Sequence, residues 1–113
     1  MKVVFVSAPY GSASQAEREA ITRAVEAASI LLWENGIATI CPHLNSGHFA
    51  DHRTTDPAVY RKGYTELASR SDGLLIMFPR TTAKGQQAEV EAIRDENKPV
   101  FKDIKAVLKW GKS

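Results

Sequence analysis

This 113-residue chain is poor in the features that most often announce a function. It has one cysteine, so Cys41 cannot close an intrachain disulfide, and a reducing, cytoplasmic setting is expected. Its longest uninterrupted apolar stretch, Gly73 to Pro79, falls far short of the roughly 20 residues that cross a bilayer. The opening MKVVFVSAPYGS is too short in its apolar run and too weakly charged for a secretory signal, which points the same way. Charge of one sign is also lacking. Fifteen Lys plus Arg stand against thirteen Asp plus Glu, a formal charge of +2 with the signs interspersed, so neither nucleic-acid nor membrane-surface binding is expected. Neither GxGxxG nor GxxxxGK[ST] is present, which disfavours conventional dinucleotide or ATP binding, and no cofactor is expected. Internal repeats and low-complexity tracts are absent.

What remains is an ordinary globular composition, 43% hydrophobic and 25% charged. A chain of this length buries roughly two thirds of its unfolded surface, enough for one core, and residues 1–113 read as a single domain. Val3 to Val6 form a continuous apolar run closed by the turn-forming SAPYGS, the pattern of a strand covered on both faces. Ser14 and Glu17 then stand at capping-box spacing. Ala20, Ile21, Ala24, Val25, Ala28, Leu31 and Leu32 recur at helical spacing until Asn35-Gly36. Ile37 to Cys41 reads as a second strand, broken by Pro42 and followed by an irregular polar stretch from His43 to Thr55. Asp56-Pro57 opens a second long helix, with Val59, Tyr60, Gly63, Tyr64 and Leu67 able to share one face up to Asp72-Gly73. Leu74 to Phe78 is the most apolar strand. Pro79 to Lys84 is a loop, about Gly85 to Glu96 a helix, Val100-Phe101 a fourth strand and Ile104 to Trp110 a terminal helix. Trp33 and Trp110 fall in helical patterns and are expected to pack.

Strands alternating with helices predict an α/β fold, a parallel sheet of about four strands with helices on both faces. Ligands of such sheets bind beyond the carboxyl ends of the strands where strand order reverses, so Ser7 to Ser12, Pro42 to Asn45 and Pro79 to Gly85 should converge on the site. In the third of these, Gly85 allows close backbone approach, the first-turn amides are donors, and Lys84, Thr81 and Thr82 add a cation and two hydroxyls for a phosphate or sugar. Glu89 lies about one turn into the helix, where the helix dipole favours its ionised form. A fixed carboxylate can stabilise or capture the positive charge that builds on an anomeric carbon, whereas dipole compensation alone would also account for a glutamate there. Ser7, Tyr10, Gly11 and Ser12 form a ribose or phosphate cradle, although Ser12 and Ser14 can equally cap a helix. His43 and Asn45, at a strand end, are candidates to hydrogen-bond a nucleobase. Cys41, His43, His48 and His52 suggest zinc, but no glutamate follows the first histidine of the pair four apart, and no metal is expected.

In its order of segments, KVVFVSAPYGS, LLWENGI, ICPHLN, SDGLLIMFP, KGQQAEVEAI and NKPVF, the chain resembles the nucleoside 2-deoxyribosyltransferase-like family nearly end to end. That family includes nucleoside 5'-monophosphate N-glycosidases. The resemblance implies a flavodoxin-like sheet, a homodimer or higher homo-oligomer, and a nucleotide or nucleoside ligand cleaved at its N-glycosidic bond. Its nucleophile is the glutamate of a G-x-x-x-E motif, here Glu89 after Gly85. By the same resemblance Tyr10, Gly11 and Ser12 line the sugar or phosphate, and Thr81, Thr82 and Lys84 the phosphate side; Pro79, which opens that loop, is a further binding candidate. The family also places a catalytic aspartate eight residues before the aspartate that opens the third strand. Here that position is Tyr64, and Glu66 is rotated from it by roughly 200°. The transferase branch carries an acidic residue where this chain has Lys84. Leaving-group protonation would then fall to Tyr64, His43 or the substrate. The alternative reading is a non-catalytic protein that senses or sequesters a small nucleotide signal in the same pocket.

Overall fold

The computed structural model of the chain describes residues 1–9, 14–47, 49 and 56–112. Four strands, β1 (Val3–Ser7), β2 (Ala38–Ile40), β3 (Gly73–Ile76) and β4 (Val100–Phe101), form one sheet in the order β2-β1-β3-β4. All three pairings are parallel, with Val3 opposite Ala38, Ser7 opposite Ile76 and Leu74 opposite Val100. The helices are α1 (Gln15–Glu34), α2 (Pro42–Asn45), α3 (Pro57–Arg70), α4 (Lys84–Asp95) and α5 (Ile104–Gly111). This is a flavodoxin- or Rossmann-like α/β fold. The chain steps from β1 outward to β2, then returns past β1 to β3 and β4, so strand order reverses at β1/β3.

Alternation along the strands divides the core in two. Val4, Val6 and Leu75 face Ile21, Val25 and Leu32 of α1 and Val107 of α5. Phe5 and Leu74 face Tyr64 and Ala68 of α3 and Val90 and Ile93 of α4. Both faces of β1 are therefore dry, and its run of apolar residues needs no polar alternation. Each fully buried side chain of this size contributes roughly 1.5–3 kcal/mol, and Phe5→Ala should cost about 3–5 kcal/mol.

Local chemistry sets the helix ends. Ser14 Oγ accepts from the Glu17 amide, Asp56 Oδ1 from Ala58 with Pro57 in the first turn, and Asp103 Oδ1 from Ala106. α1 stops where Gly36 adopts φ +75°, a conformation that favours glycine. Four local expectations are corrected. The stretch from His43 to Thr55 is not irregular at its start, because Pro42 opens the single turn of α2; residues 48 and 50–55 lie outside the described ones. The second strand is shorter than Ile37 to Cys41 at both ends. The third ends at Ile76 and not Phe78, whose φ of +53° takes the chain out of the sheet. Trp33 is 56% exposed, its indole N–H donating to Thr39 Oγ1, whereas Trp110 packs against Phe101 and under Lys2 Nζ as a packing residue should.

Candidate active site

The buried residues of α4 are Gln86, Glu89, Val90 and Ile93, a helical stripe in which two polar side chains share the face of two core aliphatics. The fold therefore carries a carboxyl group inward. Ser7, the last residue of β1, lies two positions beyond Phe5 and so on the same side of the sheet, with no exposed surface. Its hydroxyl donates to Glu89 Oε1 across 2.6 Å. Burial pushes the Glu89 carboxyl up to about 7, against the lowering effect of the Ser7 hydrogen bond. The expectation that the helix dipole keeps Glu89 ionised is corrected here. The residue is in the second turn, where the dipole has faded, and desolvation dominates. Beside this pair, burial raises the Cys41 thiol to about 11, and the Glu89 charge adds to the rise. Burial thus holds the Cys41 thiol in its protonated form.

The loop from β3 to α4 borders Glu89. Phe78, Pro79, Arg80, Thr81, Thr82 and Lys84 are exposed. Arg80 pairs with Glu17 across 3.3 Å, joining the loop to the first turn of α1. The Thr81 carbonyl accepts from the Gln87 side chain. No side chain caps α4 at Ala83, and the Lys84 amide donates to the Thr82 carbonyl across 3.1 Å. A Cβ added at Gly85 would meet nothing within 4 Å, and Gly85 has no positive φ. Neither packing nor backbone conformation within the chain calls for glycine there.

Tyr64 belongs to a second cluster. Its hydroxyl donates to Ser46 Oγ and accepts from Asn45 Nδ2 across 3.1 Å, tying α3 to α2. The Tyr64 proton expected for a leaving group is thus engaged with Ser46. His43 Nε2 lies 2.7 Å from the Pro9 carbonyl, an acceptor only, so Nε2 carries the hydrogen. Burial lowers the His43 pKa against the raising effect of the Pro9 and Ala8 carbonyls. The ring also lines a cavity of about 460 Å³ with Arg18, Thr22 and Arg23 of α1. Tyr10, Gly11, Ser12, His48 and His52 lie outside the described residues. Among the described residues no three His, Cys, Asp or Glu side chains gather.

The fold thus joins Ser7 to Glu89 and sets the 79–85 loop beside them, while Asn45 and Tyr64 pair at α2. Sequence reasoning missed two participants. Gln86 is a buried amide three residues before Glu89 on an otherwise apolar face, a signal the helical periodicity carries. Arg80 has no such signature, since its partner Glu17 is remote in sequence. No protein-family model matches the chain, and no curated protein matches it.

Proposed function

We propose that this chain cleaves the N-glycosidic bond of a nucleotide or nucleotide-derived metabolite, with Glu89 at the anomeric carbon. The observation that carries the reading is the buried Ser7–Glu89 pair at the point where strand order reverses, beside a helix start that no side chain caps. Ser7 occupies Oε1 and leaves Oε2 for the sugar. As the carbon–nitrogen bond breaks, its electron pair leaves with the base and the anomeric carbon becomes cationic, which an ionised carboxylate stabilises or captures. In hydrolysis, water supplies the hydroxyl to that carbon and a proton to the base. In base exchange, a second base takes the place of water. Lys84 and the uncapped amides of α4 favour a phosphorylated substrate. A carboxyl poised near 7 gives turnover that rises with pH through about 7, since the ionised form is the reactive one.

A second reading, a protein that binds a nucleotide signal without cleaving it, is favoured by one observation. Among the described residues, burial and Ser7 are the two influences on Glu89, with no second carboxyl among them, and the Tyr64 proton is engaged with Ser46. One experiment separates the two. The purified protein and Glu89→Gln are incubated with nucleosides, nucleotides and cyclic or ADP-ribose-type signals, and free and bound fractions are read by mass spectrometry. Free base that disappears in the variant supports cleavage. A compound depleted from solution and recovered intact from heated protein supports binding. Base release unchanged by Glu89→Gln overturns the mechanism.

A further inference from the structure

The turn that leaves β3 is not closed by its own backbone. Met77, Phe78, Pro79 and Arg80 occupy its four positions, with Phe78 at φ +53°, a conformation that bulky residues adopt only when their surroundings enforce it. In an ordinary turn the first carbonyl would accept from the fourth amide. Here the Gln86 side chain stands in that bond. Its Nε2 donates to the Met77 carbonyl across 2.8 Å, and its Oε1 accepts from the Arg80 amide across 3.2 Å. The same Nε2 donates to the Ser7 carbonyl across 3.3 Å. Two carbonyls and one N–H leave the amide a single consistent orientation. Gln86 is 4% exposed; its bond to the Ser7 carbonyl is buried, and those to Met77 and Arg80 are partly buried.

Ser7 is consequently gripped twice from one helix face. Gln86 adds a second donor to its carbonyl, which also accepts from the Met77 amide across 2.8 Å, and three residues on Glu89 accepts its hydroxyl hydrogen. We propose that Gln86 is a positioning residue, whose side-chain amide bridges the turn at residues 77–80 and sets both Ser7 and the loop against Glu89. As a role in turnover this rests on the glycosidic reading above. The bridge itself does not.

Gln86→Met keeps length and volume and removes the amide. Gln86→Glu keeps the acceptor for Arg80 and loses the donor to both carbonyls. Turnover, the Glu89 carboxyl titration followed by NMR, and exchange of the Arg80 amide hydrogen are measured in each. If the protein cleaves a nucleotide, kcat should fall about 100-fold in Gln86→Met with KM moving far less. Arg80 should exchange faster and the Glu89 midpoint should move. Unchanged kcat and an unchanged midpoint in an active protein overturn the role of Gln86 and leave the glycosidic reading intact. If the unaltered protein cleaves nothing, that reading fails and the bridge is judged on exchange and titration alone; wild-type values in the variants overturn it. Should neither variant fold, the unaltered protein decides. Slow exchange of the Gln86 side-chain NH2 and the Arg80 amide supports the bridge, and fast exchange of both overturns it.

Discussion

At the amino end of β1 the Val3 amide donates to Asp72 Oδ2 across 2.8 Å, beside an aspartate open to solvent; at the carboxyl end Ser7 Oγ donates to Glu89 Oε1 across 2.6 Å, within the core. Both acceptors are carboxyl oxygens, one met by a backbone amide and the other by a serine hydroxyl. Surroundings make the difference. Water screens the first tie, which acts as a stitch between β1 and the start of β3. Burial withholds solvation from the second, so the Glu89 carboxyl rises to about 7, the range in which a carboxyl group serves proton or glycosyl chemistry. A hydrogen-bonded carboxylate thus becomes a reactive candidate through what excludes water from it.

Breaking the buried tie should have the largest effect. Glu89→Gln is expected to lower turnover by about 1,000-fold or more, measured as base release. The same substitution should flatten a stability slope. The Glu89 carboxyl is raised from 4.5 to about 7 in the folded chain, so the folded state binds more protons between those values and loses stability as pH rises through them. The loss should total about 3 kcal/mol and level off above pH 7. Urea unfolding from pH 4 to 8 should show that decline in the unaltered protein and its absence in Glu89→Gln.

Ser7→Ala sharpens the comparison by leaving the carboxyl buried without its donor. The Glu89 midpoint should rise further, because the Ser7 hydrogen bond lowers it. Stability at neutral pH should fall by about 1–2 kcal/mol, read by NMR titration and denaturation together. Gly85→Ala tests the loop. With nothing within 4 Å of the new Cβ, the alanine should stabilise the fold by about 0.5 kcal/mol while weakening ligand binding in calorimetry. Asp72→Asn, at the exposed end, should cost about 0.5 kcal/mol and leave the Glu89 titration where it was.

Much of the architecture was legible in the residues because its signals are local. The covered run at β1, the caps at Ser14 and Asp56, and the helix that begins near Gly85 depend on neighbours within one or two turns. Phe78 misled because an apolar residue after an apolar strand reads as more strand, whereas its positive φ lies between two residues that the Gln86 side chain links. Trp33 misled because helical spacing tells which residues share a face but not whether anything covers it. The site divides in the same way. Glu89 could be singled out by its place after Gly85 and near a helix start. Its protonation could not, since that depends on Ser7 and on core packing contributed by separate elements.

The sequence by itself determined the alternation of strands and helices, the caps at Ser14 and Asp56, the stop at Asn35-Gly36, and a carboxyl group about one turn into α4, because each follows from periodicity and short-range hydrogen bonding. Only the tertiary structure decided that Ser7 meets Glu89 across 82 positions of chain, that Gln86 bridges the β3 turn, and that Tyr64 turns to Ser46 and Asn45. The physical reason is common to all three. Solvation and hydrogen-bond partners are properties of a place in the fold, and that place exists only once the sheet has brought distant segments together.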